Sequence, residues 1–381
     1  MRKRKLFSIV LSVLTTLVLI ETTTYLFFKM YGSSRLEYHL KVDDHIFKKN
    51  LINYPPAQVV NRNFDALLGW DEALVKTGLP GPHAFASRTL SKQHSTTLIS
   101  TYGDSFTFGQ SVNDDETWQH YMGDKLNTNV INYGARGTGV DQALIKLEKN
   151  INQGKKTKII VLGMLSETIA RIVNISQQHY WATTDSRSFK PLFQIVGEKI
   201  EWRFDPLKKL DTINGRKELM LFIEQHDFWF KYNKLRPVIT FPYTFSFIKS
   251  VNYFMHDVKR WNDLYADKYA TKLFNKIVER FYSLSTKENF IPILLIIPEP
   301  RDLKNLLQGD KPFYSEFLLN LRNKYSNKDL LIIDASKGDF DYTRFNRFPF
   351  QGHTSAYGNK QISESIYNGL VEAKLTMQTV Q

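Results

Sequence analysis

The chain has 381 residues, 42% of them hydrophobic and 23% charged, which is the balance of a globular protein able to build a full core. It contains no cysteine, which excludes disulfides, cysteine metal sites, a thiol nucleophile and a lipidated-cysteine anchor. Net charge is +13, yet no nucleic-acid-binding module accompanies the excess. Anionic lipid headgroups or acidic glycans suit it better as partners.

Arg2-Lys3-Arg4-Lys5 precedes an apolar stretch from Leu6 to Ile20, followed by Glu21 and a mixed tail to Phe28. A helix from Leu6 to Phe28 runs about 35 Å, enough to cross a bilayer core. The sequence after the apolar stretch, Glu21-Thr22-Thr23-Thr24-Tyr25, is a poor cleavage site. Residues 1–30 therefore read as an uncleaved signal anchor rather than a signal peptide. The four leading cations place the amino terminus in the cytoplasm and the rest of the chain outside it. Residues 31–95 show no sustained period. They carry turn signals at Tyr54-Pro55-Pro56 and Gly78-Leu79-Pro80-Gly81-Pro82, so they read as a stalk and lead-in.

From there strands and helices alternate. Thr97–Tyr102 predicts a first strand, 117–126 a helix, Asn129–Tyr133 a short second strand. Val140, Leu144, Leu147 and Ile151 recur at helical spacing. Lys158–Leu162 predicts a buried third strand ending at Gly163, Ile293–Ile297 a fourth and Leu330–Ile333 a fifth. Leu264 to Phe281 and Ile362 to Leu370 mark two more helices. The expected fold over residues 96–375 is α/β: a three-layer α/β/α sandwich on a five-stranded, mostly parallel, flavodoxin-like sheet. Residues 174–261 break the alternation and hold 18 aromatic residues. They read as a structured insertion, either a cap beside the site or aromatics packing a core of their own.

Ser105, in Gly103-Asp104-Ser105, follows the first strand, and His353 precedes the last helix. Both belong at the carboxyl edge of the sheet, where such folds carry their sites. A serine hydroxyl needs a base within hydrogen-bond reach, and of nine histidines only His353 has that setting. Asp104 reads as a turn former. Glu167 and Arg171, four apart, share a helix face and form either a substrate clamp or a local ion pair. No cluster has metal-ligand spacing.

Taken in order, Gly103-Asp104-Ser105-Phe106-Thr107-Phe108-Gly109, Asp115-Glu116-Thr117-Trp118, Asn132-Tyr133-Gly134 and Gly352-His353 through Gly358-Asn359 resemble the SGNH, or GDSL, hydrolases. The resemblance is to their bacterial membrane-anchored members, over roughly residues 97 to 175 and 290 to 372. It implies a serine that attacks esters, with Ser105 as nucleophile, His353 as base and the N–H groups of Ser105 and Gly134 lining the oxyanion hole. Two departures stand out. The asparagine that the family places after the third strand is absent from Gly163-Met164-Leu165-Ser166-Glu167-Thr168, leaving Ser166 or Thr168 as substitutes. The aspartate before the histidine is also absent, leaving a backbone carbonyl or Asp334, Asp339 or Asp341 to orient the imidazole.

The expected activity is that of an anchored, cofactor-free esterase or O-acyltransferase acting on acyl groups of an envelope glycan or lipid, at the periplasmic or cell-surface side. The alternative is a non-catalytic glycan- or partner-binding protein on the same fold.

Overall fold

A computed structural model of the chain describes residues 2–31, 44–53, 64–71, 88, 92–180, 189–233, 236, 238–253, 255, 260–349 and 351–375. Most of the expected stalk, including both of its turn signals, lies outside the described residues. The chain divides into two units. One comprises residues 1–60, 174–188 and 209–260, and the other 61–173, 189–208 and 261–381. The expected insertion at 174–261 is therefore shared between them.

The larger unit holds a five-stranded sheet: β1 Thr97–Tyr102, β2 Asn129–Asn132, β3 Ile159–Leu165, β4 Ile291–Ile297 and β5 Leu331–Asp334. Every pairing is parallel and the order is β2-β1-β3-β4-β5. This is the flavodoxin-like order, in which the chain reverses direction across the sheet between β1 and β3 and opens a crevice at their carboxyl ends. Strands covered on both faces read as continuous apolar runs. β3, Ile-Ile-Val-Leu-Gly-Met-Leu, is buried throughout, and it pairs with β4 in unbroken register from Ile159↔Ile291 to Leu165↔Ile297.

β3 runs past Gly163, where the sequence suggested its end. A side chain at Gly163 would collide with the Thr107 hydroxyl, so this glycine marks a close approach rather than a terminus. The main helices are α1 Trp118–Leu126, α2 Val140–Asn152, α3 Lys268–Glu288, α4 Ser315–Tyr325 and α5 Ala356–Glu372. Thr117 and Asp267 cap the starts of α1 and α3, and Asn127 and Asn289 close them in the left-handed conformation. Trp118 and Met122 of α1 and Ile362 and Ile366 of α5 form one core with Ile99, Val161, Ile293 and Leu295 of the sheet. α2 and α3 pack on each other and are flanked by an antiparallel hairpin, Leu192–Val196 with Lys199–Arg203. The hairpin's Phe193 and Trp202 rings lie 4.7 Å apart.

The smaller unit contains the helix Arg2–Tyr31, of which Arg4–Met30 is long and apolar enough to cross a membrane, with no residue of its apolar window buried. Its hydroxyls at Ser8, Thr15, Thr16, Thr22 and Thr24 each donate to the carbonyl four residues back. That is how such groups are satisfied where no water is available. Further helices cover Asp44–Asn53, Ile213–His226, Phe228–Asn233 and Tyr243–Asn252. Asp227, fully buried, accepts N–H groups from Ile175, Ser176 and Phe230. Burial, followed by the nearby Arg236 charge, pulls His179 down to about 3. Its neutral ring sits between those of Phe47 and Phe230. Trp229, Phe230 and Tyr232 are buried here, and Phe193 and Trp202 belong to the hairpin of the other unit. The aromatic richness of 174–261 thus serves two separate cores.

Candidate active site

β1 delivers the chain into Gly103, Asp104 and a single helical turn, Ser105–Phe108. Asp104 is its N-cap: Oδ1 accepts from Phe106 N at 2.9 Å and Thr107 N at 3.3 Å. Oδ2 accepts from Leu165 N at 2.9 Å. One buried carboxylate therefore fastens the start of the turn to the end of β3. Burial raises its pKa, against the pull of Arg171 and the three N–H groups. Asp104 is fully engaged in this way, as a turn former.

Ser105 occupies the first helical position, so its own N–H is one of the donors that a helix start leaves without a partner inside the helix. The Asp104 carboxylate takes the next two N–H groups, of Phe106 and Thr107, and not that of Ser105. Asn132, at the end of β2, donates to Thr107 O and Phe108 O at 3.1 and 3.2 Å and holds the other end of the turn.

His353 arrives on a short hairpin, Asn346–Phe348 with Gln351–Thr354, which the hydrophobic pattern did not reveal. Gly352, at φ +74°, lies in the second strand where the pairing register shifts between Phe348↔Gln351 and Asn346↔Thr354, and it supplies the left-handed conformation of that bulge. Ser355 then caps α5 by accepting Gly358 N, and Asn359 Oδ1 accepts Trp118 N and ties α5 to α1. His353 Nε2 lies 3.0 Å from Ser105 Oγ, across 248 positions of sequence. The Phe106 ring stands 5.0 Å from the imidazole. Burial first, then the Arg171 charge, lower the His353 pKa, and Glu167 opposes them. The ring is therefore neutral near pH 7 and able to accept a proton.

Two elements of the expected site are arranged differently. Gly134 N–H donates to Asn132 Oδ1 at 2.9 Å, so it is directed at a side chain rather than at the space before Ser105. The reason is packing: a Cβ on Gly134 would meet Phe108 N at 2.5 Å, and the turn lies flush against the end of Ser105–Phe108. Neither suggested substitute for the missing asparagine is presented as a donor. Ser166 Oγ donates to Asp302 Oδ2, and Thr168 Oγ1 accepts Val140 N, both fully buried.

Among the described residues no carboxylate hydrogen-bonds His353. Asp334 accepts from the Tyr314 hydroxyl and Ser336 N, Asp341 caps the turn Tyr342–Phe345, and Asp339 is exposed.

Glu167 and Arg171 do pair. Arg171 Nε and one terminal nitrogen both reach Glu167 Oε1 at 3.1 Å, and the other donates to Thr138 O at 2.9 Å. The pair is also close enough to shift His353 and Asp104. Beside it stand Glu299 and Asp302, which sequence reasoning passed over. Burial first, then Glu167 and Asp302, push Glu299 well above the usual carboxyl range. Burial raises Asp302 to about 6, although Ser166 and Glu299 N–H hold it down. Three carboxyls, Asp104, Glu167 and Glu299, thus meet the field of one guanidinium at the carboxyl ends of β1, β3 and β4, and Asp302 adjoins Glu299.

No family model and no curated protein matches the chain. Solved structures that resemble it include the following two. One is described as a lipolytic protein of the G-D-S-L family from Desulfitobacterium hafniense DCB-2, with 14% identity, a TM-score of 0.36, and coverage of 72% of this chain and 100% of that one. The other is the lipase Lip_vut3 from a goat rumen metagenome, with 14% identity, a TM-score of 0.37, and coverage of 72% and 97%. The candidate site stands on its own distances.

Proposed function

We propose that the chain is a membrane-anchored serine esterase or O-acyltransferase of the SGNH type, acting through an acyl group carried on Ser105. The supporting observation is the 3.0 Å approach of His353 Nε2 to Ser105 Oγ at the carboxyl edge of a flavodoxin-like sheet. In the forward step His353 takes the Ser105 proton as Oγ bonds to the acyl carbon. The oxyanion that forms faces the Ser105 N–H. The intermediate collapses as the ester C–O bond breaks, and His353 returns the proton to the leaving oxygen. Water or a glycan hydroxyl then repeats the sequence on the acyl-serine, and that choice separates hydrolase from transferase. Ser105 and His353 work as a dyad, with Glu167 favouring the imidazolium by its field alone.

The substrate class is an ester on an envelope glycan or lipid, and the anchor holds the site on the extracytoplasmic side. A non-catalytic binding role is the second reading. It is favoured by the engagement of Gly134 N–H with Asn132 and by the lack, among the described residues, of a carboxylate hydrogen-bonded to His353.

The test is fluorophosphonate labelling of the full chain in membranes beside Ser105→Ala and His353→Ala. Labelling of the wild type that is lost in both variants is the expected result. A folded wild type that does not label would sink the catalytic reading in favour of the binding one.

A further inference from the structure

The helix Tyr243–Asn252 is inside out for a protein in water. Its inward face carries Ser246, Ser250 and, one turn on, Tyr253, all buried. Its outward face carries Phe245 and Ile248, 57% and 58% exposed, continued by Phe241 at 72% before the helix and Met255 at 70% after it. A surface helix of a soluble protein turns its large apolar side chains to the core and its hydroxyls to solvent. Here the order is reversed. The serines are satisfied locally: Ser246 Oγ donates to Thr240 O at 2.6 Å and Ser250 Oγ to Ser246 O at 2.8 Å. Small residues four apart on the buried face, with hydroxyls paired internally, are what a helix presents to its protein neighbours when lipid lies on the other side.

Position along the amino-terminal helix supplies the second argument. Glu21 accepts from Tyr243 N at 2.6 Å and Thr244 N at 3.1 Å, and so caps the start of Tyr243–Asn252. Tyr25 lies 5.1 Å from Tyr243, and Phe27 5.5 Å from Phe247, ring to ring. The two helices therefore run side by side toward the end of Arg2–Tyr31. Glu21 stands seven residues before Phe28, about 10 Å along the axis at ~1.5 Å per residue. In a span ending near Phe28 its carboxylate lies within the hydrocarbon, where an unpaired charge is costly. Two N–H groups and the positive end of a helix answer that charge. They also fix the start of Tyr243–Asn252 at the same depth. An open cleft of about 560 Å³ between the two, lined by Leu17, Val18, Tyr25 and Phe241, continues the apolar surface. Lys249, over the Phe245 ring at 4.6 Å, and Lys29, at the end of the span, have the reach to bring their ammonium groups to headgroups.

We infer that Tyr243–Asn252 is a second membrane element, a helix seated in the outer leaflet against the amino-terminal span, with Phe241, Phe245 and Ile248 in bilayer lipid. This rests on the reading of Arg2–Tyr31 as the membrane span. It gives the chain two attachments to one leaflet.

The chain has no cysteine, so single-cysteine variants of the full protein report one place each. Phe245→Cys and Ile248→Cys, each carrying an environment-sensitive fluorophore, are compared in phosphatidylcholine–phosphatidylglycerol vesicles with Leu14→Cys in the span and Asp310→Cys on the surface of the other unit. Brominated lipid should quench the labels at 245 and 248 as it quenches that at 14, and aqueous iodide should quench only the label at 310. Iodide quenching at 245 and 248, with position 14 still in lipid, overturns the inference and leaves the anchor standing. Protection at 245 and 248 from both quenchers means that protein, such as a second copy of the chain, covers the face, and it also overturns the inference. A label at 14 open to iodide refutes the span itself, and the inference falls with it.

Discussion

Asp104→Asn tests whether one carboxylate sets the position of the nucleophile. Asp104 uses both oxygens: Oδ1 on Phe106 N and Thr107 N, Oδ2 on Leu165 N. Asparagine keeps the shape but offers a single acceptor. If its oxygen stays with the helix start, its NH₂ faces the Leu165 N–H, and two buried donors confront each other at the end of β3. Leaving a buried donor unsatisfied costs about 1–3 kcal/mol. If the amide flips, the cap is lost instead, at about 1 kcal/mol, and the donors at Phe106 and Thr107 are exposed to the same conflict. Removing a buried charge offsets part of either cost, because burial already raises the Asp104 pKa. The expected net loss is about 1–3 kcal/mol, or roughly 2–4 °C in Tm per kcal/mol for a domain of this size.

The effect on chemistry is larger than the effect on folding, since a misplacement of ~1 Å at a reacting group costs about 100-fold. Thermal unfolding of the full chain in detergent and the fluorophosphonate labelling rate measure the two effects on one sample. The reasoning is refuted if Asp104→Asn labels at the wild-type rate with an unchanged Tm, because then neither oxygen positions Ser105.

Three further predictions concern the surroundings of the dyad. Acylation needs neutral His353, whose pKa lies below its usual 6.5, so the labelling rate should rise with pH below that value and level off above it. Arg171→Gln removes a cause of the lowering and should move this limb to higher pH, whereas Glu167→Gln should move it lower; shifts in one direction for both would refute the electrostatic assignment. Burial pushes Asp302 up from its ordinary 3.8 to about 6 in the fold. An acid raised on folding stabilises the fold below its unfolded pKa and loses that contribution as pH rises through the folded one. The difference amounts to about 3 kcal/mol. Asp302→Asn should flatten stability between about pH 4 and pH 7 by that order, as read by unfolding at several pH values, and an unchanged slope would count against it. Gly163→Ala should displace the nucleophile turn by pressing on the Thr107 hydroxyl, cutting labelling, and adding Thr107→Ala should restore it. Gly103→Ala should resist the same rescue, because the Gly163 carbonyl also blocks a side chain there.

What the sequence disclosed follows the physics of burial. Parallel strands covered on both faces are continuous apolar runs, so β3 and β4 were legible to within two or three residues at their ends, and Ser105 was placed just beyond β1. Glu299 and Asp302 were not, because Pro298-Glu299-Pro300-Arg301-Asp302 reads equally well as a turn and helix start. Only the neighbouring ends of β3 and β4 reveal that Glu299 shares a buried space with Arg171, with Asp302 beside it. The direction of Gly134 N–H was beyond reach for a similar reason. It depends on Asn132, two residues away, folding its side chain back to accept that N–H while its amide holds the Ser105–Phe108 turn. The hairpin at Leu192–Arg203 was hidden in an aromatic-rich insertion, since composition does not say which core an aromatic joins.

The Tyr243–Asn252 helix shows the limit most sharply. Phe241, Phe245 and Ile248 make an apolar stripe at helical spacing whichever way the helix faces. Periodicity identifies the face but not the medium beyond it. Only the burial of Ser246 and Ser250, together with the cap from Glu21, shows that the stripe points away from the protein. On the reading of Arg2–Tyr31 as a membrane span, a stripe of that kind beside it is an address for lipid, where the same residues turned inward would have been ordinary core.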